Sequence, residues 1–106
     1  MSKLEKNICN AEIAYKKGQS LLAIRYAKSA LKVCNRESVT VALKIFIARA
    51  YSRLGYYDKS NTIYRGLLKE NIYMPPVVMG LMYNNFKNPD KQNNNMRLMK
   101  ICLHLR

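Results

Sequence analysis

The chain has no tryptophan, one histidine and only six acidic residues among 106. Each scarcity removes a class of chemistry. His104 stands without an acidic neighbour in sequence, so a histidine-dependent acid/base or nucleophilic site is not expected. The carboxylates are scattered, and no pair has metal-ligand or acid/base spacing. The four glycines are dispersed, and no Walker-type loop, dinucleotide fingerprint or nucleophile motif occurs. The three cysteines, Cys9, Cys34 and Cys102, form no CxxC pair. Free thiols buried in a reducing compartment fit that usage; a Cys9–Cys34 disulfide, across the outer ends of the first two helices, is the alternative. No stretch reaches the roughly 20 apolar residues of a membrane span. Ser2-Lys3-Leu4-Glu5-Lys6 shows no secretory h-region. No enzyme activity, cofactor, metal or membrane contact is therefore expected, and the expected location is cytoplasmic.

What is present is apolar substance and positive charge. Apolar residues make up 49%, enough for one domain spanning 1–106. Nineteen Lys and Arg give a net charge of +13. The excess is spread as +5, +4 and +4 over residues 1–35, 36–70 and 71–106, with no patch or tail. Even spreading fits solvated helix faces first, a partner of opposite charge second and dedicated nucleic-acid binding last.

The periodicity is helical throughout. Ile8, Ala11, Ala14 and Tyr15 predict a helix over about Lys3 to Lys17. Gly18 suits the left-handed residue that closes it. Ser20 is a candidate N-cap for a second helix to Val33, with Ala23, Ile24, Ala27, Ala30 and Leu31 on one face. Ser38 is a candidate cap for a third, apolar helix over Val39 to Leu54, closed by Gly55. A fourth runs from Asp58 to Glu70, turning Ile63, Tyr64, Leu67 and Leu68 inward. Pro75-Pro76 opens a fifth, expected over Pro76 to Phe86. Lys87 to Asp90 reads as a turn, and a sixth helix is expected over Lys91 to Leu103.

The two halves repeat. Gly18 and Gly55 lie 37 positions apart. Ala11 pairs with Ala48, Ala14 with Tyr51, Ala23 with Ser60, Ala27 with Tyr64, Ala30 with Leu67 and Leu31 with Leu68. A degenerate third unit places Gly80 opposite Ala48, with Tyr83, Met96 and Met99 following. A helix-turn-helix period near 34 residues resembles the tetratricopeptide repeat. The resemblance is carried by Gly18, Ala23, Ile24, Tyr26, Ala30 and Leu31, then by Ala48, Tyr51, Gly55, Tyr57, Tyr64 and Leu68. The motif's first-helix tryptophan and closing proline are missing. The resemblance implies an all-α fold of three helix-turn-helix repeats, about 3–35, 38–70 and 73–103, in a short right-handed solenoid with a concave groove.

By the same resemblance, the first helix of each pair lines that groove. The lining would be Ile8, Glu12 and Tyr15, then Ile45, Arg49 and Ser52, then Val77, Leu81 and Asn84, with Phe46 and Val78 beside them. The family's carboxylate-clamp slots hold Ile8, Glu12, Phe46, Arg49, Met74 and Val78, which disfavours that use. An apolar groove with a few charges suits an amphipathic helix instead, and Asp at Ile45 or Leu81 is expected to abolish its capture without loss of helicity. In size, repeat number and groove character the chain resembles small bacterial type III secretion chaperones of the PscG/YscG type. That resemblance implies a virulence-associated chaperone, acting as a heterodimer with a small helical co-chaperone, which holds a needle subunit's helix and prevents premature polymerisation. A basic nucleic-acid-binding protein and a self-associating structural module are the alternatives. Tyr15, Tyr26, Tyr51, Tyr64 and Tyr83 fall at repeat positions, where packing explains them; Met79 and Met82 are candidates for either core or docking.

Overall fold

The computed structural model describes residues 2–70, 72 and 74–87. They form five helices: α1 (Lys3–Lys16), α2 (Ser20–Val33), α3 (Glu37–Arg53), α4 (Tyr57–Lys69) and α5 (Pro75–Lys87). No strand occurs among the described residues. Each helix packs on the next, and α5 also packs on α3.

Helix α1 starts where a Ser-x-x-Glu sequence lets Ser2 Oγ accept the Glu5 amide at 3.2 Å. It closes in a turn that recurs 37 residues later. Gly18 has φ +80° and Gly55 φ +84°, the left-handed region that favours glycine. Gln19 N–H donates to Ala14 O at 2.9 Å, and Tyr56 N–H donates to Tyr51 O at 2.9 Å. These six-to-one bonds satisfy carbonyls that a helix end leaves orphaned. Four aligned pairs agree in being buried, Ala11 with Ala48, Ala23 with Ser60, Ala27 with Tyr64 and Ala30 with Leu67, whereas Ala14 is buried and its counterpart Tyr51 only half-buried.

Several boundaries differ from the expected ones. Ser20 does not cap α2: Gln19 holds the cap position and makes no side-chain cap bond, while Ser20 is buried as the first helical residue. Ser38 does not cap α3, which starts two residues earlier than expected, at Glu37 with Arg36 in the cap position. Helix α5 begins at Pro75 and continues through Lys87. Both prolines fit the first turn because its amides have no helical acceptor. The amides of Val77 and Val78 then bond Met74 O at 2.9 and 3.3 Å. Cys9 is exposed and Cys34 half-buried, both as free thiols. Neither is the buried thiol the composition suggested. The expected sixth helix, and with it the second half of the third repeat unit, lies outside the described residues, as do Cys102 and His104.

Two apolar clusters share α3. The first joins Ala11, Ile24, Ala27, Ala30, Leu43, Ile47 and Ala50. The second joins Ile45, Ala48, Tyr64, Leu67, Val77, Val78 and Leu81. This explains why α3 carries apolar residues on more than one face and lacks a clean amphipathic stripe: it packs on α2, α4 and α5. The second cluster also encloses a polar network. Asn84 Nδ2 donates to Ser60 Oγ and Asn61 Oδ1, both at 2.8 Å. Ser60 donates to Ala48 O at 2.7 Å, and Ser52 donates to Asn84 Oδ1 at 2.6 Å. Helices α3, α4 and α5 are thereby fixed in register.

Candidate binding face

Residues of α1, α3 and α5 line one cavity together, and two further clefts border α3. At one end, Ile8, Ala11 and Glu12 of α1 face Val39, Ala42, Leu43 and Phe46 of α3 across a cleft of about 140 Å³. A second cavity of about 480 Å³ is lined by Tyr15, by Arg49, Ser52 and Arg53, and by Pro76, Met79, Gly80 and Tyr83, with Tyr64 of α4 also reaching it. A third, of about 520 Å³, lies between Glu37, Ser38, Val41, Ala42 and Ile45 of α3 and the pair Ile72 and Met74. Ala42 borders the first and third. The Tyr15 and Phe46 rings, centroids 5.3 Å apart, join the first to the second.

Within the 480 Å³ cavity the side chains differ in freedom. Arg53 is held: its guanidinium donates to the Tyr15 carbonyl at 2.8 Å and lies 4.3 Å from the centre of the Tyr15 ring. Arg49 is exposed, and its charge acts on the Tyr64 hydroxyl. Tyr64 is 1% exposed, and burial pushes its phenol up to about 12; the Arg49 charge and a bond with Ser60 oppose that rise, and Tyr15 adds slightly to it. Gly80 is what admits Tyr64. A Cβ at Gly80 would lie 2.6 Å from the Tyr64 hydroxyl, inside van der Waals contact.

The expected lining residues divide accordingly. Tyr15, Arg49 and Ser52 meet in one cavity. Ile8, Glu12 and Phe46 meet in the neighbouring cleft, and Ile45, although buried, borders the third. The four expected from α5 do not line an open surface. Val77, Val78 and Asn84 are 0% exposed and Leu81 3%. Helix α5 packs on α3 and α4 at once, so the face bearing these residues closes into core and polar network. The open face of α5 is rotated from it: Pro76, Met79, Gly80 and Tyr83. Met79 and Tyr83 are more than half exposed, so Tyr83 is not the packing residue its repeat position suggested; Met82 is half-buried against the second cluster. Spacing alone could have found this stripe, because Pro76, Met79 and Tyr83 recur at i, i+3 and i+7. Arg53, one turn beyond Arg49, was visible in the same way.

No protein-family model, curated protein or solved structure matches the chain. Among the described residues no group of three His, Cys, Asp or Glu side chains could hold a metal ion. No described helix is long and apolar enough to cross a membrane. The side formed by α2 and α4 is basic. Lys28 and Lys59 lie 5.5 and 5.6 Å from the Tyr51 ring centre. Lys44 approaches Glu70 only to 4.0 Å.

Proposed function

We propose that the chain is a small protein-binding module that lays one amphipathic helix of a partner along the face of α1, α3 and α5. The observation that carries this reading is the continuity of three clefts along that face, with apolar Met79 and Tyr83 exposed beside them. The repeated turn at Gly18 and Gly55, and the packing of α5 on α3, support a tetratricopeptide-like array whose concave side is this face. Exposed methionine adapts to irregular apolar contacts, and i, i+3/i+4 anchors of a bound helix suit a row of neighbouring clefts. Masking such a helix removes apolar surface that would drive its self-assembly, and the shift follows mass action. A secretion needle subunit, held with a small helical co-chaperone, is the partner class that the family resemblance suggests.

The test is Met79→Asp. Because Met79 is 59% exposed, the charge costs the fold less than about 0.5 kcal/mol, and the circular-dichroism spectrum stays helical. Partner co-purified by the wild type from its native host falls at least about tenfold, a loss of roughly 1.4 kcal/mol. Undiminished capture removes this face from the account. Asp at Leu81 or Ile45, suggested by the sequence, would strike the core instead and unfold the protein. Binding of labelled RNA that weakens steeply with salt would assign the charge to nucleic acid.

A further inference from the structure

We propose that Arg49 and Arg53 together hold one carboxylate side chain, Asp or Glu, on the polar edge of the bound helix. The proposal rests on the helix-binding reading above and names the chemistry of its partner. The two arginines stand four residues apart on one face of α3 and line the 480 Å³ cavity. Like charges at that spacing oppose each other and weaken a helix when nothing intervenes. None of the nine described residues lining the cavity is acidic, so the described residues supply no counter-charge there.

The pair is also partly prearranged. One guanidinium nitrogen of Arg53 is engaged by the Tyr15 carbonyl and its plane is backed by the Tyr15 ring, which leaves its other N–H groups available. Arg49 is exposed, so its guanidinium is open to a ligand. A planar guanidinium matches a carboxylate with two parallel N–H···O bonds. The opposite wall is Pro76, Met79 and Tyr83. That combination, two cations against an apolar wall, fits an acidic residue placed beside the apolar stripe of an amphipathic helix. A nucleic-acid backbone offers nothing to the apolar wall.

The experiment displays a library of 18-residue helices against the intact protein. Leucines are fixed at i, i+3, i+4 and i+7 spacing, and the flanking polar positions are randomised. The expected result is enrichment of Asp or Glu at one register position. The selected helix then binds about fivefold tighter than its Glu→Gln or Asp→Asn isostere, the scale of an exposed ion pair. Against Arg49→Gln, which leaves the Arg53–Tyr15 contact intact, the acid preference at that position disappears while apolar binding persists. Acid enriched at every position, and equally against Arg49→Gln, overturns the proposal in favour of general attraction by the +13 charge. Helices selected with no acid preference overturn it and leave the groove reading standing. No helix selected at all overturns both.

Discussion

The two halves of the molecule solve one packing problem with different residues. In the α1–α3 half, the seam is alanine: Ala23, Ala27 and Ala30 are all fully buried. In the α3–α5 half, the positions 37 residues on hold Ser60, Tyr64 and Leu67, equally buried. Small residues let backbones approach and leave no voids. Large ones need room elsewhere, and Gly80 opens it for Tyr64. The polar Ser60 needs partners, and Ala48 and Asn84 provide them. The lesson is that a repeat slot specifies a depth of burial and leaves the side chain open, provided the opposite element compensates. The cost of that freedom is that the second half depends on particular contacts where the first depends on area.

Asn84→Leu breaks the comparison most sharply. It removes the donor to Asn61 Oδ1 and Ser60 Oγ and the acceptor of Ser52, and leaves the amide oxygen of Asn61, a residue 1% exposed, without that donor in the core. A loss of about 3 kcal/mol is expected. Urea unfolding of the whole chain reads it, and a loss below about 1 kcal/mol would mean that the network positions the helices without stabilising them.

The buried phenol of the second half has a pH signature that the alanine seam cannot have. Tyr64 keeps its proton up to about pH 12 in the folded protein, against the ordinary tyrosine value of 10.0. An unfolded chain therefore releases this proton first. Stability from this group is complete below pH about 10 and is lost as pH rises through the folded value, by roughly 2–3 kcal/mol. Tyr64→Phe should flatten that part of the alkaline limb. If both proteins lose stability in parallel between pH 10 and 12, other groups control it.

How much of this was legible from the chain is clearest at the residues themselves. The five described helices and the 37-residue repeat were readable because period 3.6 and the turn glycines are local signals. The caps were not: Ser20 has a cap's chemistry, but the turn geometry at Gly18 already set the helix start and drew Ser20 inside. On α1 and α3, the residues expected to face a groove do border open clefts. On α5 the expected face is buried, because its orientation is decided by packing against two helices at once and no local pattern encodes that choice. Gly80 read as a small slot in the sequence; that it makes space for Tyr64 required the tertiary contact.

Gly80→Ala tests the compensation directly. The added methyl meets the Tyr64 ring, which is 1% exposed and packed in the second cluster. The expected cost is about 2 kcal/mol, despite alanine's higher helix propensity. In a Tyr64→Leu background the clash is gone, and the same substitution should become neutral or stabilising by up to about 1 kcal/mol. Equal costs in both backgrounds would remove the Gly80–Tyr64 contact as the reason for glycine.

The smallest effect asks where the halves are alike. Gly18 and Gly55 share φ near +80°, and at neither would a Cβ meet another atom within 4 Å. Alanine at either position pays only for its backbone conformation, about 1 kcal/mol. The two losses should therefore agree within about 0.3 kcal/mol, although one turn closes onto an alanine seam and the other onto a polar network. Asparagine, which tolerates the left-handed region better, should cost less than alanine at both. Thermal unfolding of the four variants reads the comparison. Matched losses would mean that the turns are one device used twice, insulated from the cores they serve. Unequal losses would mean that one core holds its turn more rigidly than the other, and the likeness of the two halves would then stop at backbone geometry.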